Sequence, residues 1–83
     1  MPERNVVYVL RSTTNQDRFY VGLTSDLSTR LATHNTGGSV HTRRDRPWRL
    51  VVSLEFTSTV GAVAFERYLK SGSGRAFAKR QFN

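Results

Sequence analysis

Short apolar runs alternate with polar breaks along the chain, and their spacing predicts its elements. Residues 5–11 are rich in β-branched and aromatic side chains. The apolar run at 6–10 is unbroken, as in a strand buried on both faces. The polar stretch STTNQD at 12–17 reads as a turn. Residues 18–23 (RFYVGL) read as a second strand, which makes the pair a hairpin with a longish loop. Gly22 inside that strand predicts a close backbone approach or a bulge. Thr24, Ser25 and Asp26 then offer caps for a helix that runs to about Asn35 and stops at Gly37 and Gly38. A basic loop spans 39–47, and residues 48–56 form a third strand. A second helix starts at 57–59 and reaches about Lys70. The run SGSG at 71–74 predicts a break before a short final helix over 75–82. The order ββαβαα predicts a small α/β (α+β) fold in which helices pack on a three-stranded sheet.

Composition narrows the function. Eighty-three residues leave room for one small domain, expected over 1–83. Without cysteine, disulfides, thiolate metal sites and cysteine nucleophiles are excluded. The longest apolar run falls far short of the roughly 20 residues of a membrane span, and no signal-peptide pattern is present. The expectation is a cytoplasmic protein without a membrane partner, associated with the nucleoid when bound to DNA. Thirteen basic against six acidic residues give a net charge of +7, and eleven of the thirteen are arginine. Arginine's planar fork suits phosphate, so nucleic acid leads as partner. The plainer reading is an arginine-rich composition drawn from a GC-rich genome.

Four groups could carry chemistry. On the first helix, Leu27, Arg30, Leu31 and His34 fall within roughly 100° of arc. Two ionisable groups therefore share the stripe that should face the sheet. They either converge on a ligand, or Arg30 snorkels at the edge while His34 fills a half-buried slot. Tyr8 and Tyr20 lie mid-strand in a hairpin that could bring them together, as site residues or as ordinary strand tyrosines. Glu66 lies mid-helix, four residues before Lys70, a spacing that also makes a plain surface ion pair. With few acids in the chain, a metal site has few candidates, but Mg²⁺ often needs only one or two protein carboxylates. Finally, His41, Thr42, Arg43, Arg44, Arg46, Trp48 and Arg49 interleave cations with one aromatic, as in phosphate contacts with base stacking. Trp48 itself reads better as an anchor in the core.

Taken together, V-V-Y at 6–8, Y-V-G at 20–22, R-L-A-T-H at 30–34 and the helical Glu66 resemble the GIY-YIG nuclease family. The similarity is greatest to its small stand-alone branch, which is related to the nuclease domain of the excision-repair endonuclease. The resemblance runs through YVGLTSDLSTRLATHNTG and RRDRPWRLVVSLEF to the ending YLKSGSGRAFAKRQF. It implies an antiparallel three-stranded sheet and metal-dependent hydrolysis of DNA phosphodiester bonds, in repair or recombination. Tyr8 and Tyr20 would line the site, with Tyr8 or an activated water involved in the attack, Arg30 would hold the scissile phosphate, and His34 would assist proton transfer or phosphate binding. Glu66 would bind a single Mg²⁺ or Mn²⁺. Arg43, Arg44, Arg46, Arg49, Lys70 and Arg75 would contact flanking nucleic acid, and a homodimer or protein partner would supply specificity. Leu23 and Ala78 stand where many members carry lysine and asparagine. In the alternative reading they mark a nucleic-acid-binding module without turnover.

Overall fold

The computed structural model describes residues 4–82, in the order β1 (Asn5–Ser12), β2 (Phe19–Thr24), α1 (Leu27–Thr36), β3 (Trp48–Phe56), α2 (Thr59–Lys70) and α3 (Gly72–Gln81). A single 3₁₀ turn, Arg43–Asp45, interrupts the loop before β3. The sheet is antiparallel throughout, with strand order β2-β1-β3. Val6 to Leu10 are all buried, as a strand must be when partners flank both edges and helices cover both faces. Among the described residues no helix is long and apolar enough to cross a membrane.

The two faces of β1 lead to different layers. Val7 and Val9 pack with Ala62, Leu69 and Ala78 beneath α2 and α3, with Phe65 and Phe77 filling in around them. Tyr8 and Leu10 pack with Trp48, Leu27 and Leu31 beneath α1. A register shift sets Trp48 on this second layer. Val9 pairs with Val52 but Leu10 pairs with Leu50, so Val51 is an extra residue in β3. Because strand side chains alternate with period two, one inserted residue moves everything beyond it to the opposite face. Trp48 thereby comes level with Ser12.

Gly22 shows the close approach expected of it. It sits opposite Tyr8 in the ladder, and a Cβ there would collide with the Tyr8 ring and hydroxyl. The bulge lies in β3 instead. Capping chemistry defines α1: the Asp26 carboxylate accepts from the Thr29 N–H, and Gly37 closes the helix at φ 86°.

The break expected at 71–74 is corrected by the structure. The Ser71 hydroxyl accepts from the Gly74 N–H at 3.1 Å, so α3 begins at Gly72, three residues earlier than the sequence pattern suggests. Gly74 is buried against the end of α2, where a Cβ would strike the Tyr68 carbonyl. The glycine allows two helices to turn tightly and pack backbone to backbone.

Candidate active site

The α1 layer carries a buried polar chain. The Tyr8 hydroxyl lies 2.8 Å from Nε2 of His34, and Nδ1 of His34 lies 2.7 Å from Oγ1 of Thr42. Tyr8, His34 and Thr42 are all at least 98% removed from solvent. The Thr42 carbonyl accepts from the Trp48 indole N–H at 2.7 Å. Asn35, next to His34 on α1, both accepts from the Trp48 N–H and donates to its carbonyl. Thus α1, the 39–47 loop and the start of β3 lock the imidazole in place. Burial holds His34 below its ordinary pKa, and the Arg30 guanidinium pushes the same way, so the ring is neutral near pH 7. A neutral ring donates one of its two bonds and accepts the other. Thr42, able to serve either role, leaves Nε2 free to accept from the Tyr8 O–H.

Tyr20 packs against this chain, its ring 4.8 Å from His34, 6.3 Å from Tyr8 and 6.5 Å from Trp48. It is half-buried, unlike Tyr8. Burial pushes the Tyr8 phenol well above its usual pKa. Tyr20 and Glu66 add to the rise and Arg30 opposes it. The expected helix stripe divides: Leu27 and Leu31 pack on the sheet, His34 is fully buried rather than half-buried, and Arg30 stays exposed at the rim. Arg30 forms no ion pair with the described residues, an arrangement suited to an anionic ligand.

Glu66 is more sheltered than a surface pair would be. Its side chain is 18% exposed, and its Oε2 meets Lys70 Nζ at 2.7 Å. Oε1 takes no hydrogen bond from a described residue. No group of three metal-ligating side chains occurs among the described residues. A divalent ion at Glu66 would therefore rest on one protein carboxylate, with substrate phosphate and water completing its shell.

The basic loop is anchored. The Ser12 hydroxyl donates to the Asp45 carbonyl at 2.5 Å, the Thr13 N–H donates to the Pro47 carbonyl at 3.0 Å, and Arg18 pairs with Asp45 at 3.2 Å. Arg43 donates to the Gly37 carbonyl, and the Arg46 guanidinium packs where a Gly37 Cβ would stand. Both cations thus sit at the C-terminal end of α1, where they complement the helix dipole. Arg44 and Arg49 are exposed with no ion pair among the described residues. Trp48 is the core anchor expected of it. His41 is exposed and lies outside the polar chain. Sequence reasoning placed Thr42 only in the basic loop, not against His34, and missed Asn35, which carried no local signal. Leu23 and Ala78 both belong to the apolar layer under α2 and α3, away from the Tyr8–His34 pair.

Comparison with known proteins bears on the family and the fold. The profile of the GIY-YIG catalytic domain matches residues 4–81. The structure-specific endonuclease subunit slx1 of Aspergillus niger is 43% identical over 72 residues, 80% of this chain and 17% of that protein. The SLX1 subunit of Candida dubliniensis is 37% identical over 84 residues, 93% of this chain and 28% of its own length. The chain therefore spans well under a third of these relatives. The solution structure of the UPF0213 protein BH0048 from Bacillus halodurans superposes with a TM-score of 0.58 at 27% identity, covering 96% of this chain and 87% of that one. The sheet and its helices thus belong to one known architecture, and the chain is a member of the GIY-YIG family of endonuclease catalytic domains.

Proposed function

We propose that this domain hydrolyses DNA phosphodiester bonds with the help of one Mg²⁺ or Mn²⁺ held by Glu66, in repair or recombination. The observation that carries this reading is the buried Tyr8–His34–Thr42 chain, with the half-buried Tyr20 ring packed on it and the exposed Arg30 one helical turn from His34. When bound, the ion supplies Lewis-acid stabilisation of charge on the phosphate and leaving oxygen. Arg30, exposed and unpaired, neutralises charge growing on the phosphate, as fixed cations do in phosphoryl transfer. Tyr20 meets the substrate, because its ring reaches both the buried pair and the surface. The attacking water gives its proton to the Tyr8 oxygen as the Tyr8 O–H passes its own to Nε2 of His34, whose other side Thr42 holds. Arg44 and Arg49 contact flanking backbone. Relatives named as subunits of a structure-specific endonuclease suggest that a protein partner, or a second copy, contributes specificity here as well.

The test is a panel of branched, single-stranded and duplex DNA incubated with Mg²⁺, Mn²⁺ or EDTA. We expect products only with metal, and none from Glu66→Ala. Full Mg²⁺-dependent cleavage by folded Glu66→Ala would remove Glu66 from the metal site. Binding that survives EDTA, with no product on any substrate, would favour a binding module instead.

A further inference from the structure

A groove of about 500 Å³ opens between β2 and α3. It lies on the α2 and α3 side of the sheet, because its floor is Val9 and Leu69 of the apolar layer. Tyr8, the Tyr20 ring and His34 are on the other side. The groove is therefore separate from the candidate active site. We propose that it docks an acidic segment of a partner protein, one that presents two carboxylates a helical turn apart beside a bulky apolar side chain. This inference rests on the partner suggested above, and it uses neither the metal nor the cleavage step.

Three features select that occupant. The first is charge. Arg18, Lys70, Arg75 and Lys79 line the groove against one acid, Asp17. Arg18 is paired with Asp45 and Lys70 with Glu66, but Arg75 and Lys79 form no ion pair with a described residue. They stand one turn apart on α3, where like charges repel. Two carboxylates at the same spacing relieve that repulsion. A second copy of this chain supplies them poorly, because it carries a net charge of +7 and its Asp45, Glu55 and Glu66 are already paired. The second feature is apolar surface between the cations. Phe19 and Val21 are half-buried and Ala76 is exposed along the walls. A bulky apolar side chain seated there leaves water beside its charged neighbours, which is how interface anchors are built.

The third feature is placement. DNA that meets Arg30 and the Tyr20 ring lies on the α1 side of the sheet, so the groove stays open to a protein while substrate is bound. The resemblance gives Arg75 to flanking nucleic acid; its position on the α2 and α3 side suits a partner instead. The volume is in the range of sites that enclose a few side chains rather than a whole surface, as expected for one anchored segment.

The experiment measures peptide binding alone, in EDTA and without DNA. Stapled helical peptides labelled with fluorescein carry two glutamates one turn apart beside Leu, Phe or Trp; in a control peptide serine replaces the apolar residue. The best apolar peptide should bind about tenfold or more tighter than the serine control. Arg75→Gln/Lys79→Gln, folded by circular dichroism, should lower its affinity about tenfold. Arg44→Gln/Arg49→Gln removes the same charge elsewhere and should lower it less than about threefold, since distant exposed charges are screened. Arg75→Lys/Lys79→Arg keeps both charges and should bind as the wild type does. Absence of binding, equal affinity for the apolar and serine peptides, or equal losses in the two glutamine variants would each overturn the proposal. A labelled blunt duplex is titrated in parallel, and a greater loss of duplex affinity in Arg75→Gln/Lys79→Gln than in Arg44→Gln/Arg49→Gln would hand the groove to nucleic acid and overturn it as well. Such a failure removes this surface alone: a second copy as partner is judged by sedimentation, and the nuclease reading by cleavage of the DNA panel.

Discussion

One strand, β1, supplies both layers of this protein, and the two are built on opposite terms. Under α2 and α3, Val7 and Val9 meet leucine, alanine and phenylalanine, and the polar side chains buried among the described residues, Ser12, His34 and Thr42, all lie elsewhere. Under α1, the same strand contributes Tyr8 to a chain of Tyr8, His34 and Thr42. A buried polar group is costly unless its bonds are made. Among the described residues no buried side-chain polar atom lacks a partner. The lesson is a division of labour: the apolar layer carries stability by burial, which frees the α1 layer to hold polar groups in fixed geometry. If that division holds, substitutions on the two layers should separate stability from cleavage.

The largest effect is expected at the site's rim. Arg30→Ala should lower the cleavage rate by about 10²–10³-fold, the usual loss when one preorganised charge donor is removed. Because Arg30 is exposed, its thermal unfolding midpoint should hardly move. A cleavage rate within threefold of wild type would place the phosphate elsewhere. The opposite signature belongs to Leu69, 1% exposed between α2 and the sheet. Leu69→Ala should cost about 2–5 kcal/mol in denaturant unfolding, while the fraction that remains folded cleaves at the wild-type rate. If its folded fraction instead loses cleavage out of proportion, the two layers are coupled more tightly than the packing shows.

Gly22 tests the join between the layers. Any Cβ there meets the Tyr8 ring, so Gly22→Ala must displace Tyr8 from His34. An overpacking cost of about 1–3 kcal/mol is expected, together with a loss of cleavage that Leu69→Ala does not share. A crystal structure or tyrosine NMR shifts of the variant would show whether the Tyr8–His34 bond is broken. An intact bond with normal cleavage would mean that the strand can shift to admit the methyl group.

Much of this architecture can be read from the sequence because local signals and tertiary packing agree. The unbroken run at 6–10 announces a doubly buried strand, and Asp26 and Gly37 bracket α1 as their capping chemistry requires. The grouping of Leu27, Arg30, Leu31 and His34 on one arc already places a histidine on the sheet. The failures occur where the cause is non-local. The SGSG run reads as a break because glycine and serine disfavour helix interiors, yet Ser71 caps α3 and Gly74 is needed for contact with the Tyr68 carbonyl. No glycine or proline marks the bulge at Val51; it follows from pairing with β1. Thr42 looks like any loop threonine until the fold brings it to His34.

The smallest effect expected concerns acid, and it tests the α1 layer directly. His34 is held neutral, mainly by burial and secondarily by Arg30, so its folded pKa lies below the unfolded value near 6.5. Above about pH 6.5 neither state takes a proton there, and the stabilisation is fully present. As pH falls from about 6.5 toward the lower folded value, the unfolded chain binds a proton that the folded protein refuses, and stability declines with it. Among the described residues the apolar layer has no buried titratable group to produce such a slope. Unfolding free energy followed from pH 8 to pH 5 should therefore drop on the acid side in the wild type and in Leu69→Ala alike. In His34→Gln the slope should flatten, because glutamine can still bond Tyr8 or Thr42 but takes no proton. If His34→Gln keeps the wild-type slope, the imidazole is not the group that senses acid, and the neutral ring proposed to accept the proton from Tyr8 loses its main support.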